Sequence, residues 1–138
     1  MITLHHLAYS QSFRVLWLLE ELGIKYELVK YERDPKTQMA PAAYKAISPL
    51  GTAPVITHEN LVLSETGAIF DYLLDLHPND TLRPLAASKH RARHLFWSHT
   101  AQGSVMPLLM IDSVFRMVLK KVPRLLKVIL KPVFAKID

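Results

Sequence analysis

The sequence predicts a mixed α/β unit with the element order β-α-β-α-β-β-α, followed by an all-α region. Three observations support this prediction. Strand-like alternation is confined to short segments in the first half of the chain, helical apolar spacing separates these segments, and beyond residue 87 only helical spacing remains. We place the α/β unit at residues 1–78, a linker at 79–87 and the start of the all-α region at 88–138.

The first three elements form a predicted β-α-β unit. Residues 2–7 and 26–31 alternate and are rich in β-favouring side chains, so both are predicted strands. Between them a helix is predicted over residues 12–22, where apolar side chains recur at helical spacing, namely Val15, Leu18, Leu19 and Leu22. Gly23 is suited to end this helix because it tolerates a left-handed backbone. Two strands joined through a helix are expected to lie parallel.

The rest of the α/β unit is predicted to contain a short helix, a hairpin and a longer helix. In order, we predict a loop at residues 34–41, a short helix at 42–47, a turn at 48–54, and hairpin strands at 55–57 and 61–63. Ser64 is expected to be the N-cap of the last helix, which carries Ile69, Leu73 and Leu76 on one face.

The remaining residues are predicted to be helical. One long helix is predicted from about residue 88 to 121, with a bend where Pro107 lacks a backbone N–H. Pro123 suits the first turn of a further helix with an apolar stripe, formed by Leu125, Leu126, Ile129 and Val133.

The composition excludes several kinds of chemistry. There is no cysteine, so a disulfide, a thiolate metal site and a protein thiol nucleophile are excluded, and any sulfur chemistry must use a bound molecule. His5 and His6 are adjacent on a strand and face opposite sides, so no metal site is predicted. The chain lacks a run of about 18 uninterrupted apolar residues, and its first residues lack the features of a secretion signal. We therefore expect a cytoplasmic protein with no membrane partner.

The net charge of +5 is unevenly distributed. Residues 1–79 contain 6 Lys and Arg against 9 Asp and Glu, whereas residues 80–138 contain 11 against 3. A basic segment at residues 116–138 is one candidate for an anchor to a membrane or a nucleic acid. Its two prolines favour instead the solvated face of a helix, so no nucleic-acid partner is expected.

Three segments resemble successive signatures of the glutathione transferases, namely residues 10–23, 49–55 and 63–69. Their order and spacing make the likeness specific. Residues 103–111 further resemble the fourth helix of a branch of this family found in bacteria and fungi. The resemblance implies a thioredoxin-like domain followed by an all-α domain. It also implies that the chain ends before the buried helix that organises the second domain, so that this domain is incomplete here.

The resemblance implies that the protein activates the thiol of glutathione, a co-substrate rather than a permanently bound cofactor. Thiolate is the nucleophile, but a free thiol has a pKa of about 8.5 and is mostly protonated at neutral pH. Ser10, four residues before Arg14, occupies the position of the activating serine in serine-type members. Ser12 and Tyr9 are the alternative donors. From the residues alone, either serine could simply be a helix N-cap.

The resemblance also implies a set of glutathione-binding residues, which are Thr52, Ala53, Pro54, Glu65 and Thr66. Pro54 would follow a cis peptide bond, and the Ala53 backbone would pair with the cysteinyl unit. Thr66 would hold the γ-glutamyl carboxylate and Glu65 its ammonium group, at a helix start where backbone N–H groups favour an anion. Many family members have lysine where this chain has Thr52.

Two further subsites are implied with less detail. The glycyl carboxylate requires a cation or an amide, for which the chain offers Arg33, Lys36 and Lys45. A second substrate would lie between the domains, against Tyr9, Phe96, Thr100, Gly103 and Met106.

The implied reaction is attack of the glutathione thiolate on a hydrophobic electrophile or a peroxide, and a homodimer is expected. The alternative is a protein of the same fold that binds glutathione or a protein partner and catalyses nothing.

Overall fold

The computed structural model describes residues 1–122, which belong to two compact units. One unit extends from Met1 to His94, and the second begins at Leu95. In chain order the elements are β1 (Ile2–Leu7), α1 (Ser12–Glu21), β2 (Tyr26–Tyr31), α2 (Ala42–Lys45), β3 (Val55–His58), β4 (Leu61–Ser64), α3 (Thr66–Leu76), α4 (Arg91–Thr100), a π-turn (Ala101–Val105) and α5 (Met106–Lys121). This order confirms the predicted fold class, a thioredoxin-like α/β unit followed by helices.

Four strands form a mixed sheet in the order β2-β1-β3-β4. β1 and β2 are parallel, as expected for strands joined through a helix. β3 runs antiparallel to both of its neighbours, with Val55 opposite His5 of β1 and Ser64 of β4. The carboxyl ends of β1 and β4 therefore lie beside the amino end of β3, at one end of the sheet.

Helices cover both faces of the sheet. On one face α1 and α3 pack through a cluster of buried apolar residues, which are Ile2, Leu4, Val15, Leu18, Leu19, Ile56, Ile69, Leu73 and Leu74. On the other face α2 places Tyr44 against Leu7 and Val55. The Tyr44 hydroxyl donates to the carbonyl oxygen of His5 at 3.3 Å. Burial raises the pKa of Tyr44 to about 12.

The end of α1 follows from one glycine. Gly23 has a φ of 63°, which a side chain would disfavour. In this conformation its N–H donates to Glu20, and the N–H of Ile24 donates to Leu19 at 3.1 Å. These are the two bonds of a Schellman motif, so the predicted helix stop at Gly23 is confirmed.

Two predictions about α3 are wrong. Ser64 is the last residue of β4, where its hydroxyl bonds that of Ser48, and Glu65 occupies the N-cap position. Leu76, predicted to be on the buried face, is exposed because it is the last residue of the helix and lies beyond the core. Leu74 is buried in the apolar cluster instead.

The segment predicted as a linker is held to α3. Arg83 donates to the carbonyl oxygen of Leu74 at 2.9 Å and forms ion pairs with Asp71 and Asp75. The Asn79 side chain accepts two backbone N–H groups that follow it, each at 3.0 Å. This segment therefore belongs to the first compact unit, and the domain boundaries drawn from the sequence stay predictions.

In the second unit a π-turn separates α4 from α5. The N–H of Met106 donates to Ala101, five residues earlier, which is the π-helical pattern. Pro107 follows in the first turn of α5, where its missing N–H is tolerated. The predicted long helix is therefore present from Arg91. Its hydrogen-bond pattern changes from α-helical to π-helical just before Pro107, the position at which a bend was predicted. The helix predicted after Pro123 lies outside the described residues.

The second unit exposes many apolar side chains. On α5 they are Leu108, Leu109, Met110, Ile111, Val114, Met117 and Val118. By length and composition alone, the stretch Arg91–Lys120 could cross a membrane. Core helices of soluble proteins meet the same criterion of length and composition, so the absence of a membrane partner stays a prediction.

Candidate functional site

The turn between β1 and α1 is held by Arg33. Tyr9 in this turn has a left-handed backbone, with a φ of 53°, and is 94% exposed. Nε of Arg33 donates to the carbonyl of Ala8 at 2.8 Å, and Nη2 donates to that of Tyr9 at 3.2 Å. Nη1 donates to Gln38 at 2.8 Å. Arg33, one candidate for the glycyl carboxylate, thus directs its guanidinium to backbone carbonyls.

Ser10 is half-buried just before α1. Its Oγ lies 2.8 Å from the carbonyl oxygen of Leu7 and 2.8 Å from Oγ of Ser12, and it accepts the N–H of Ser12 at 3.2 Å. This last bond satisfies one of the N–H groups that a helix start leaves unpaired. Ser10 therefore performs part of a capping role, although the N-cap position belongs to Gln11, whose side chain makes no capping bond.

Ser12 is the first residue of α1 and is 0% exposed. Its Oγ accepts the N–H of Leu7 at 3.2 Å and lies 2.9 Å from Nδ1 of His6. Protein atoms surround this hydroxyl, so a ligand cannot reach it without a rearrangement. Of the three predicted thiol donors, Tyr9 is exposed, Ser10 is half-buried and Ser12 is fully buried.

The loop before β3 has a cis peptide bond between Ala53 and Pro54, which confirms that prediction. Pro54 is buried and Thr52 is exposed. Gly51 has a φ of 61°, and a Cβ placed on it would lie 3.6 Å from Cβ of Lys45. The side chain of Lys45, at the end of α2, therefore begins beside this loop.

Glu65 and Thr66 lie where β4 leads into α3. Glu65 is exposed with a φ of 74° and a ψ of 124°, and it precedes the helix rather than lying in its first turn as predicted. Thr66 is the first helical residue, and its hydroxyl donates to Oε1 of Gln11 at 2.9 Å. A non-glycine residue in such a conformation costs about 1–3 kcal/mol, and such residues concentrate at functional sites.

The sheet brings the three predicted segments together. Ser10 follows β1, Pro54 precedes β3 and Glu65 follows β4, and these three strand ends lie at one end of the sheet. The bond between Gln11 and Thr66 joins the starts of α1 and α3. Two helix N-termini and one loop thus border a single region, which suits an extended ligand that carries negative charge.

The two adjacent histidines of β1 face opposite sides, as predicted. His6 contacts Ser12, whereas His5 lies 3.3 Å from the Tyr31 hydroxyl and 3.2 Å from the Thr57 hydroxyl. Burial lowers the pKa of His5, and the charge of Glu27 partly opposes this shift. Within residues 1–122 no three His, Asp or Glu side chains gather as a metal site would require.

The residues predicted to contact a second substrate belong to different compact units. Tyr9 is in the first, whereas Phe96, Thr100, Gly103 and Met106 are in the second. Thr100 and Met106 directly flank the π-turn and Gly103 lies within it. Single π-turns inside helices occur frequently at functional sites. The second-substrate site stays a prediction.

The sequence did not predict that three residues support this region through their hydrogen bonds, namely Arg33, Gln11 and His6. Arg33 holds a turn 24 residues earlier, and no local sequence pattern relates the two. Gln11 bonds a residue 55 positions away. For His6 a signal existed, because strand alternation places it on the same side of β1 as Leu4, which faces α1.

Comparison with known proteins agrees with this geometry. Residues 1–75 match the family profile described as "Glutathione S-transferase, N-terminal domain". Glutathione S-transferase 3 of Schizosaccharomyces pombe is 32% identical over 124 residues, which are 89% of this chain and 50% of that protein. The chain spans about half the length of the curated relatives that it matches.

Solved structures give the same result. A glutathione S-transferase from Actinobacillus pleuropneumoniae is 43% identical with a TM-score of 0.66, covering 70% of this chain and 46% of that one. The theta class glutathione S-transferase of Xanthomonas axonopodis pv. citri, solved with glutathione bound, is 28% identical with a TM-score of 0.62. That match covers 78% of this chain and 51% of the other.

Proposed function

This chain belongs to the glutathione S-transferase family, because residues 1–75 match the N-terminal domain of that family, and we propose that it binds glutathione and activates the glutathione thiol with Ser10. The observation that carries this proposal is the position of the Ser10 hydroxyl. Ser10 is half-buried, its hydroxyl lies just before α1, and it is at the end of the sheet where the other two predicted segments converge.

Activation requires selective stabilisation of the thiolate. Lowering a thiol pKa by about two units corresponds to roughly 2.7 kcal/mol of preferential interaction with the anion. A charge-assisted hydrogen bond from a hydroxyl supplies much of this energy, and the N-terminal end of a helix adds a smaller favourable contribution. Ser10 combines both features, since it lies two residues before the start of α1 and its Oγ accepts the N–H of Ser12, the first residue of that helix.

Burial favours Ser10 over the two alternative donors. Ser12 is fully buried, and its hydroxyl already contacts the Leu7 N–H, Oγ of Ser10 and Nδ1 of His6. Tyr9 is highly exposed, so water would compete for its hydroxyl. Ser10 is half-buried, between these two extremes, and the partial burial strengthens a hydrogen bond that its hydroxyl donates.

The γ-glutamyl end of glutathione is assigned to the start of α3. There the hydroxyl of Thr66, which is 5% exposed, donates to Gln11, and a carboxylate bound to the first N–H groups of the helix would be a stronger acceptor that takes this bond from Gln11. Glu65 provides an exposed carboxylate for the γ-glutamyl ammonium group. The strained backbone of Glu65 supports a ligand-binding role.

The other two parts of glutathione are assigned to the neighbouring loop. The Ala53 backbone is expected to pair with the cysteinyl unit. Lys45 is the preferred cation for the glycyl carboxylate, because its side chain begins beside the Gly51 turn whereas Arg33 holds backbone carbonyls. Thr52 is exposed on the same loop and offers a hydroxyl.

The reaction proposed for the whole protein is attack of bound thiolate on a hydrophobic electrophile or a peroxide, by a cytoplasmic homodimer. The second candidate function is binding of glutathione without turnover. The same residues would serve this second function, because the proposed glutathione-binding segments all lie within residues 10–69 and would bind glutathione whether or not turnover follows.

The test measures the thiol pKa of bound glutathione by thiolate absorbance, together with affinity for S-methylglutathione, which has no thiol. Ser10→Ala is expected to raise the thiol pKa by at least one unit and to cut any conjugation rate at least tenfold, with nearly unchanged affinity. The control is Ser113→Ala, since Ser113 is exposed and its hydroxyl donates to the carbonyl of Leu109 within the same helix. An unchanged thiol pKa in Ser10→Ala would exclude Ser10 as the activator.

The same measurement separates the two candidate functions. A lowered thiol pKa in the wild-type protein supports an activating site. Binding of glutathione with a thiol pKa equal to that of free glutathione would support the non-catalytic alternative.

A further inference from the structure

We propose that His6 is a positioning residue that acts through Ser12 to direct the Ser10 hydroxyl proton toward the ligand. This inference rests on the proposed function, in which Ser10 donates to the sulfur of glutathione. It adds two residues behind Ser10 and assigns a direction to each hydrogen bond between them.

The three side chains form a continuous chain of polar atoms. Nδ1 of His6 lies 2.9 Å from Oγ of Ser12, which lies 2.8 Å from Oγ of Ser10. Ser12 is completely buried and Ser10 is partly exposed, so this row of hydrogen-bonded side chains leads from the interior of the protein to its surface. Such a row of bonds can polarise cooperatively in a weakly solvated environment.

The backbone limits how these hydroxyls can be satisfied. Oγ of Ser12 accepts the N–H of Leu7, and Oγ of Ser10 accepts the N–H of Ser12, both at 3.2 Å. Each hydroxyl oxygen has two lone pairs, so each can accept one more proton. The carbonyl oxygen of Leu7 is within reach of both hydroxyls, at 2.8 Å from Ser10 and 3.2 Å from Ser12.

The tautomer of His6 decides the direction of the row. If Nδ1 carries no proton, Ser12 donates to it, and Oγ of Ser12 is then an acceptor that competes with the ligand for the Ser10 proton. If Nδ1 carries the proton, His6 donates to Ser12 and fills its second lone pair. Ser12 can then no longer accept from Ser10.

The second arrangement favours a thiolate. When the Ser12 hydroxyl donates a hydrogen bond to Oγ of Ser10, the Ser10 hydroxyl can itself donate to two remaining acceptors, the carbonyl oxygen of Leu7 and the ligand sulfur. An anionic sulfur is the stronger acceptor, because hydrogen bonds to charged groups are roughly twice as strong as neutral ones. Every donor in the row then points from His6 toward the sulfur, and His6 needs only its neutral form with the proton on Nδ1.

The experiment compares two replacements of His6 with a matched replacement of His5. His6→Leu removes the donor, whereas the amide of His6→Asn lies near the position of Nδ1 and can still donate to Ser12. His5→Leu makes the same change on the opposite face of β1, where the histidine contacts Tyr31 and Thr57. The measured quantities are the acid dissociation constant of bound glutathione's thiol and the affinity for S-methylglutathione.

We expect His6→Leu to lower this dissociation constant about threefold, since cooperative polarisation strengthens a hydrogen bond by a fraction of its energy. His6→Asn is expected to restore most of the wild-type value, and His5→Leu to leave it unchanged. Affinity for S-methylglutathione stays the same throughout. Should His6→Leu fail to fold, His6→Gln replaces it, because its amide reaches the position of Nε2 rather than Nδ1.

Three results would overturn the proposal. The first is an acid dissociation constant in His6→Leu, or in its replacement His6→Gln, that equals the wild-type value. The second is a His6→Asn variant whose dissociation constant is lowered as much as that of His6→Leu. The third is a nitrogen NMR spectrum of the wild-type protein in which Nδ1 of His6 carries no proton. If Ser10→Ala raises the thiol pKa while the His6 variants have no effect, only this relay is excluded. If Ser10→Ala also has no effect, Ser10 is excluded as the activator, and the relay that acts through it is excluded with it.

Discussion

Ser10 and Ser12 are two positions apart, and burial separates what their hydroxyls can do. Ser12 accepts a backbone N–H and contacts a histidine inside the protein, so it belongs to the supporting structure of the turn. Ser10 contacts the Ser12 hydroxyl at 2.8 Å and is only half-buried. Burial and hydrogen-bond partners therefore favour Ser10 over Ser12 for the proposed contact with glutathione.

Glu65 allows backbone strain and ligand binding to be measured separately. Glu65→Ala and Glu65→Gly both remove the carboxylate, so both are expected to weaken glutathione binding by about tenfold, the equivalent of roughly 1.4 kcal/mol. Only glycine relieves the positive φ of 74°, so the Gly variant should be about 1 kcal/mol more stable than the Ala variant. Calorimetric titration and urea unfolding measure the two effects. Equal stability of the two variants would mean that the backbone is unstrained.

His5 is expected to make stability depend on pH. Its pKa is lowered mainly by burial, so the unfolded chain binds more protons than the folded protein below a pH of about 6.5. The stabilisation is therefore complete above that pH and is lost as pH falls through the lower pKa of the folded state. His5→Gln should flatten the decline in unfolding free energy between about pH 7 and pH 5, measured by urea unfolding.

Thr57→Val is the matched control for this pH dependence. It removes one hydrogen-bond partner of His5 but keeps the ring buried, so the decline toward low pH should persist. If the unfolding free energies of the wild-type protein and of His5→Gln fall equally as the pH is lowered, the pH dependence of stability is caused by titratable groups other than His5.

At the scale of elements, Arg83 determines whether the segment after α3 is a linker or part of the first unit. Its side chain is 17% exposed, and it donates to Leu74 in the last turn of α3. Arg83→Met should lower the unfolding free energy by about 1–2 kcal/mol, most of it from the bond to the carbonyl, because both aspartates are largely exposed. Arg93→Met, on the exposed side of α4, should change it by less than about 0.5 kcal/mol. Equal effects of the two substitutions would mean that Arg83 adds no specific support.

Element order, the parallel pairing of β1 with β2 and the hairpin of β3 with β4 were predictable because they depend on local periodicity and short connections, whereas the pairing of β1 with β3 was not predicted. The strands at either side of α1 alternate, and Gly23 ends the helix through a backbone conformation that its own residue type favours. The start of α3 was not predictable in the same way. Ser64 has the residue type of an N-cap, but pairing of β4 with β3 extends the strand through it and shifts the cap to Glu65.

Side-chain contacts across long sequence separations explain most of what could not be predicted at the site. The resemblance supplied Ser10, Pro54 and Glu65, but Gln11 and Arg33 hold the site through partners far away in the chain. Such contacts follow from tertiary packing and leave no periodic signal. His6 lies between these cases, because strand alternation gives its side of the sheet but not its contact with Ser12.

At the scale of the whole molecule, burial is concentrated in the first compact unit. All apolar side chains that are buried within residues 1–120 lie between Ile2 and Leu74. Over residues 95–120 the side chains are exposed or half-buried. The stability of the described structure therefore depends mainly on the thioredoxin-like unit.

A fragment of residues 1–94 should for this reason fold alone. We expect cooperative urea unfolding within about 1 kcal/mol of the whole chain, because the fragment keeps the entire apolar core and the Arg83 bonds. A shorter fragment of residues 1–78 should be less stable by about 1–2 kcal/mol, since it lacks Arg83 and the half-buried Leu82 that packs on the core. Both fragments retain the proposed glutathione-binding segments, so calorimetric titration should detect glutathione binding wherever the fragment is folded. Non-cooperative unfolding of the 94-residue fragment would show that the second unit is required for the first to fold.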